Sequence, residues 1–198
     1  MFQVIKLDPN EITFNYEDDN WFGSKDIKEL FEDPILNNKN FYRTFATINN
    51  TSVIDLEQRS SWTHNKKFIV SSIQADNYFE NNNIINNNNK YQLLKYEKDD
   101  FFNIHLDTKQ NDNHKYTCLI LLKDDNNDYE GGELILSDKD NIFNININSC
   151  VMIIFSLDLF YKITPVTKGV RYVLKKPLFN DSKSNFDTDS INSFSGGS

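Results

Sequence analysis

Three histidines occur in the chain, and one of them, His105, stands two residues before Asp107 in the run Phe101-Phe102-Asn103-Ile104-His105-Leu106-Asp107. The aromatic and β-branched residues make this run strand-like, and residues i and i+2 of a strand face the same side. An imidazole and a carboxylate on one face can reach one metal ion. Together they are two thirds of the facial triad that holds non-haem Fe(II) and leaves positions open. The plainer alternative is a surface strand whose polar residues face water. His64 and His114 lie in polar, loop-like stretches and read as solvent-exposed bystanders. Arg171, in Val170-Arg171-Tyr172-Val173-Leu174, offers a permanently charged, bidentate clamp for a carboxylate, although taken alone a surface arginine in an antiparallel strand is the plainer reading. Tyr96 and Thr117 carry hydroxyls able to satisfy the same group, although both also serve as ordinary strand residues.

These side chains need a scaffold, and the second half of the chain supplies strand candidates at short, regular intervals. They cover 91–96, 101–107, 116–122, 133–136, 144–147, 150–155, 159–164 and 170–174, with turn signals at Lys123 to Asp128, Pro165 and Gly169. Such spacing predicts a sandwich or barrel. Upstream, residues 1–20 alternate loosely, as a pair of short strands would. Ser24 is the expected cap of a short helix over 25–31, stopped by Pro34. Residues 40–56 are strand-like, and 68–79 fit a helix or a strand equally well. The polar, Ser-rich segment 181–198 reads as a disordered tail, leaving one domain over 1–180.

The chain has 198 residues and a formal charge of −8, an acidic balance that argues against a nucleic-acid backbone as partner. No apolar run approaches 18 residues, so no membrane helix is expected. The start lacks a basic segment followed by an apolar one, and no signal peptide is expected. Cys118 and Cys150 sit in apolar runs and read as buried free thiols of a reducing, cytoplasmic compartment. Asparagine is over-used, as in Asn81 to Asn83 and Asn86 to Asn89, alongside other residues with A/T-rich codons. Genome composition accounts for that bias, and the asparagine tract reads as a surface loop.

Taken together, YQLLKYEKDDFFNIHLDT, LILLKDDNNDYEGGELIL and SCVMIIFSLDLFYKITPVTKGVRYVL resemble the Fe(II)/2-oxoglutarate dioxygenases of the prolyl 4-hydroxylase type. The resemblance spans about residues 90–176. It rests on a Tyr nine residues before the His-x-Asp pair, the Gly131-Gly132-Glu133-Leu134 run and the ending Pro165-Val166-Thr167-Lys168-Gly169-Val170-Arg171-Tyr172. Arg59-Ser60-Ser61 is similar to the family's Arg-x-Ser stretch near the substrate. The resemblance implies a mainly β protein with flanking helices (α+β), built on a double-stranded β-helix, or jelly-roll, core. It also implies an Fe(II)- and 2-oxoglutarate-dependent dioxygenase that uses O2, with ascorbate as accessory reductant, and hydroxylates a protein or peptide side chain, proline first. His105 and Asp107 would bind iron, and Arg171 would hold the distal carboxylate of 2-oxoglutarate, with Tyr96 and Thr117 beside it.

One position departs from the pattern. The family's second metal histidine lies ten residues before the basic 2-oxoglutarate residue, and here that count lands on Tyr161. A phenol titrates near 10, so supplying phenolate at neutral pH costs roughly 4 kcal/mol unless the metal lowers that value. Phenolate also favours Fe(III) over Fe(II). Three arrangements stay open: Tyr161 as an altered third ligand, Tyr161 swung away from a His-plus-Asp site, or a non-catalytic relative, including one in which a histidine was replaced. On the ligand reading, Tyr161→His is expected to strengthen Fe(II) binding. A catalytically silent 2-oxoglutarate- or peptide-binding module is the alternative function.

Overall fold

A computed structural model describes residues 1–16, 25–44, 46–48, 51–53, 55–85, 89–123, 128–145 and 150–180. The expected tail at 181–198 therefore lies outside the described residues, as do Ser24 and Asn86 to Asn88 of the asparagine tract. In chain order the elements begin with β1 (Phe2–Lys6), β2 (Thr13–Tyr16), helix α1 (Ile27–Glu32) and two short 3-10 turns (Pro34–Leu36 and Asn38–Asn40). There follow β3 (Phe41–Arg43), β4 (Ala46–Ile48), β5 (Thr51–Val53), β6 (Arg59–Ser60), β7 (Trp62–Ser71), helix α2 (Ile73–Asn81) and β8 (Ile84–Ile85). The second half holds β9 (Lys90–Tyr96), β10 (Phe101–His105), β11 (His114–Leu122), β12 (Glu130–Gly131), β13 (Leu134–Ser137) and β14 (Ile142–Ile145). It ends with β15 (Val151–Ser156), β16 (Phe160–Ile163), β17 (Val166–Lys168) and β18 (Arg171–Asn180).

The strands pair into a large antiparallel sheet in the order β1-β15-β11-β18-β9-β7-β2, with β3 and β8 attached, and a smaller sheet in the order β14-β13-β16-β10-β6. Alternation along the large sheet explains its unbroken apolar runs. On β11, Cys118, Ile120 and Leu122 enter one core with α1, α2 and the N-terminal strands. Leu119 and Leu121 enter a second core with Leu134, Leu136, Tyr161 and Ile163 of the small sheet. Strand β15 divides the same way, with Met152 and Ile154 on one side and Ile153 and Phe155 on the other. A strand buried on both faces has no polar face to show, which is why these runs read as continuous. The second core is the space between the two sheets of a jelly roll, and the candidate site opens into it.

Several expectations are refined at this level. Helix α1 is capped by Asp26, whose side chain accepts from Glu29 N–H while Glu29 reaches back in a capping box. Pro34 opens a 3-10 turn directly after the helix. The ambiguous stretch 68–79 is both structures in succession: β7 ends at Ser71, and Ser72 caps α2 by accepting from Ala75 N–H. His64 and His114 are not exposed, being only 2% and 3% accessible. His64 donates from Nε2 to Ile35 O and accepts Lys66 N–H at Nδ1, both at 3.0 Å. His114 accepts Gln110 N–H at Nδ1. Each ring satisfies backbone groups in the interior, a role that polar neighbours in the sequence disguise. Both cysteines are buried, and neither is in a disulfide. No helix among the described residues is long and apolar enough to cross a membrane.

Candidate functional site

Strand β10 of the small sheet carries His105 at its last position, directly across from Tyr161 on β16. Asp107 lies two residues beyond the strand end, so the irregular segment after β10 sets its position in place of strict strand alternation. The pair still converges: His105 Nε2 is 3.8 Å from Asp107 Oδ1. His105 Nδ1 lies 2.7 Å from Asn103 O, which can only accept. The proton is therefore on Nδ1, and the Nε2 lone pair is buried and without a hydrogen-bond partner among the described residues. The ring is stacked on Phe102 at 3.5 Å, and Arg59 lies over the Phe102 ring at 4.2 Å. Burial draws His105 down to about 4, so the imidazole is neutral at neutral pH.

Asp107 is surrounded by donors. Its Oδ1 accepts from Lys175 Nζ at 2.6 Å and from the Tyr161 hydroxyl at 3.0 Å, while Oδ2 accepts from the Thr117 hydroxyl at 2.5 Å. Lys175 donates in addition to the Tyr161 oxygen, at 2.8 Å. Burial is the largest single influence on Asp107 and opposes its charge. The Lys175 ammonium and the hydrogen bonds from Lys175 and Thr117 together outweigh burial and draw the carboxyl down to about 2. Burial, reinforced by Asp107, pushes the Tyr161 phenol well above its ordinary range. Thr117 thus serves Asp107, with its hydroxyl accounted for there. Lys175 was not among the sequence candidates, although it lies four residues beyond Arg171 on β18 and so on the same face of the strand.

Arg171 sits at the start of β18, across from Tyr96 on β9, with 0% exposure. Its guanidinium carbon lies 5.3 Å from the Tyr96 ring centre, and none of its three nitrogens has a hydrogen-bond partner among the described residues. Gly132 makes room for it: with φ +65°, a Cβ there would stand 2.8 Å from Arg171 Cδ. Glu133 is near enough for Arg171 to help lower its carboxyl, after the Thr164 hydroxyl and its own backbone, but makes no hydrogen bond to it. A buried, unpaired guanidinium beside a side-chain-free cradle is suited to an anionic ligand of carboxylate type.

The jelly roll thus sets a His-x-Asp pair on its small sheet and a buried arginine on the inner face of its large sheet. The sequence pattern of the 2OG-Fe(II) oxygenase superfamily matches residues 91–176, the stretch of chain that carries His105, Asp107, Tyr161 and Arg171. No curated protein matches the sequence. Among solved structures, a prolyl hydroxylase from Trichoplax adhaerens, in complex with a hypoxia inducible factor oxygen degradation domain peptide fragment, superposes with a TM-score of 0.52. The identity is 15%, over 78% of this chain and 74% of that one, and the likeness bears out the jelly-roll fold. Two bacterial structures are also similar at 12% identity. A 2OG-Fe(II) oxygenase family oxidoreductase from Burkholderia pseudomallei has a TM-score of 0.48 over 70% of this chain and 72% of its own. A Pseudomonas putida prolyl-4-hydroxylase has 0.43 over 63% and 74%.

The family implies Fe(II), 2-oxoglutarate and O2. The co-substrate's distal carboxylate suits the unpaired Arg171. Iron does not suit the other end as it stands. Of a two-histidine, one-carboxylate triad, His105 and Asp107 remain; the third place holds a phenol that donates its proton to Asp107. An ammonium is hydrogen-bonded to the same carboxylate oxygen, where a second cation would be repelled. Among the described residues no three His, Cys, Asp or Glu side chains gather as a metal site.

Proposed function

We propose that this chain is a member of the 2OG-Fe(II) oxygenase superfamily that binds 2-oxoglutarate, or a dicarboxylate like it, without Fe(II)-dependent turnover. The observation that carries this reading is Arg171: a fully buried guanidinium with three nitrogens unpartnered among the described residues, set against the side-chain-free Gly132. Leaving such a charge unpaired in the interior costs several kcal/mol, and a ligand carboxylate offsets that cost. The donor set opposite, in which Lys175 and Tyr161 occupy Asp107, supports silence in the iron chemistry. A peptide partner belongs to the same proposal. Its support is the fold shared with the Trichoplax adhaerens structure, which holds a peptide.

A second reading, a working dioxygenase that hydroxylates a peptide side chain, is favoured by the unspent Nε2 lone pair of His105 beside Asp107. One experiment separates the two. The protein is incubated with Fe(II), ascorbate and 2-oxoglutarate, and succinate is measured alongside calorimetric binding of 2-oxoglutarate. Binding without succinate is expected; succinate formed in stoichiometric excess over protein establishes the second reading.

A further inference from the structure

A metal centre of this family does two things at its carboxylate: it neutralises a buried negative charge, and it draws the protein donors together. In this chain the first task is already done from within. Asp107 keeps only 13% side-chain exposure, and its Oδ1 takes the Lys175 ammonium at 2.6 Å. Lys175 is tied a second time, to the Tyr161 oxygen at 2.8 Å, and Tyr161 closes the triangle by donating to Asp107. The ammonium is thus held by two fixed acceptors in the groove, an arrangement unlike a surface lysine.

The second task is left half finished. His105 is set in the tautomer a metal ligand needs, because Asn103 O fixes the proton on Nδ1. Its Nε2 lone pair is buried with no partner among the described residues, although Asp107 Oδ1 is only 3.8 Å away. Two donors that each lie about 2.1 Å from one ion can be at most about 4.2 Å apart, so this spacing is compatible with shared coordination.

We infer that Lys175 is the resident cation of this groove, and that His105 and Asp107 form a latent site for a divalent transition-metal ion which Lys175 keeps closed. The inference rests on reading the groove as the family's site, but not on what Arg171 binds. It also revises the expectation from sequence alone: Tyr161→His by itself restores a histidine but leaves the ammonium on Asp107.

The test titrates the full chain and its variants with Co(II) by calorimetry, and follows the visible Co(II) absorption as a coordination signature. Wild type and Tyr161→His are expected to show no saturable binding, whereas Lys175→Met gains it. Tyr161→His combined with Lys175→Met should bind about tenfold or more tightly than Lys175→Met alone, a gain that His105→Ala then removes. If Lys175→Met does not fold, Lys175→Gln, which keeps a donor without the charge, is titrated in its place. The inference is overturned if wild type binds Co(II) as tightly as the double variant, or if the folded Lys175 variants gain nothing. Titration of wild type with 2-oxoglutarate in the presence of a chelator reads the Arg171 anchor separately, so failure of one idea is distinguishable from failure of the other.

Discussion

At the scale of single residues, the guanidinium of Arg171 and the ammonium of Lys175 lie on one face of β18 and differ in one respect. Lys175 has partners in the chain, and Arg171 has none among the described residues. An interior charge without a partner is held at a cost, so Arg171→Met, which keeps the stem and removes the charge, should stabilise the ligand-free protein by about 1–3 kcal/mol. The same variant should lose 2-oxoglutarate binding. Denaturant melts with and without 2-oxoglutarate check both halves, and a destabilised variant that still binds would contradict the assignment. Gly132→Ala tests the cradle: at φ +65° the new methyl would press on Arg171 Cδ and Val166 Cγ2. It should cost about 1–3 kcal/mol and weaken 2-oxoglutarate binding together, while unchanged affinity would separate the cradle from the anchor. The nearness of His105 to Asp107 was legible from residue types and spacing, whereas Tyr161 and the role expected of Arg171 came from the resemblance to the dioxygenase pattern. Lys175 was not legible, because a lysine in a strand ordinarily reads as solvated, although its separation from Arg171 already placed it on the same face.

At the scale of elements, β10 and β16 bring His105 and Tyr161 into register, whereas the irregular segment after β10 places Asp107 beside them. The strands of the second half were legible from their apolar runs, but alternation could not say that β11 and β15 are buried on both faces. The first half was harder to read, since Asp26 and Ser72 set boundaries through side-chain caps that composition does not single out. His64 was misread for a similar reason: it pins β7 to the 3-10 turn at Ile35 from the interior. Burial lowers its affinity for a proton below that of a free imidazole, whose ordinary value is 6.5. The unfolded chain therefore takes up the proton first as pH falls. The stability due to neutral His64 is present above 6.5 and is lost on acidification through that value towards its lower folded one. Stability should fall between about pH 7 and about pH 5, and His64→Gln should show a smaller fall across the same range. Denaturant melts at both ends measure it, and equal falls in the two proteins would contradict the role.

At the scale of the whole molecule, the proposal is that a jelly roll matching the 2OG-Fe(II) oxygenase pattern over residues 91–176 keeps a carboxylate anchor at Arg171 and sets the Lys175 ammonium where a metal's charge would stand. That division between a retained anchor and an altered centre is the core of the account. It is tested most directly by calorimetric titration of the wild-type chain with 2-oxoglutarate, once with excess chelator and once with Fe(II) under anaerobic conditions, beside Arg171→Gln. The expected result is saturable binding of equal affinity in both wild-type titrations, weakened by about tenfold or more in the variant. Binding that appears only with Fe(II), or that survives undiminished in Arg171→Gln, would contradict it.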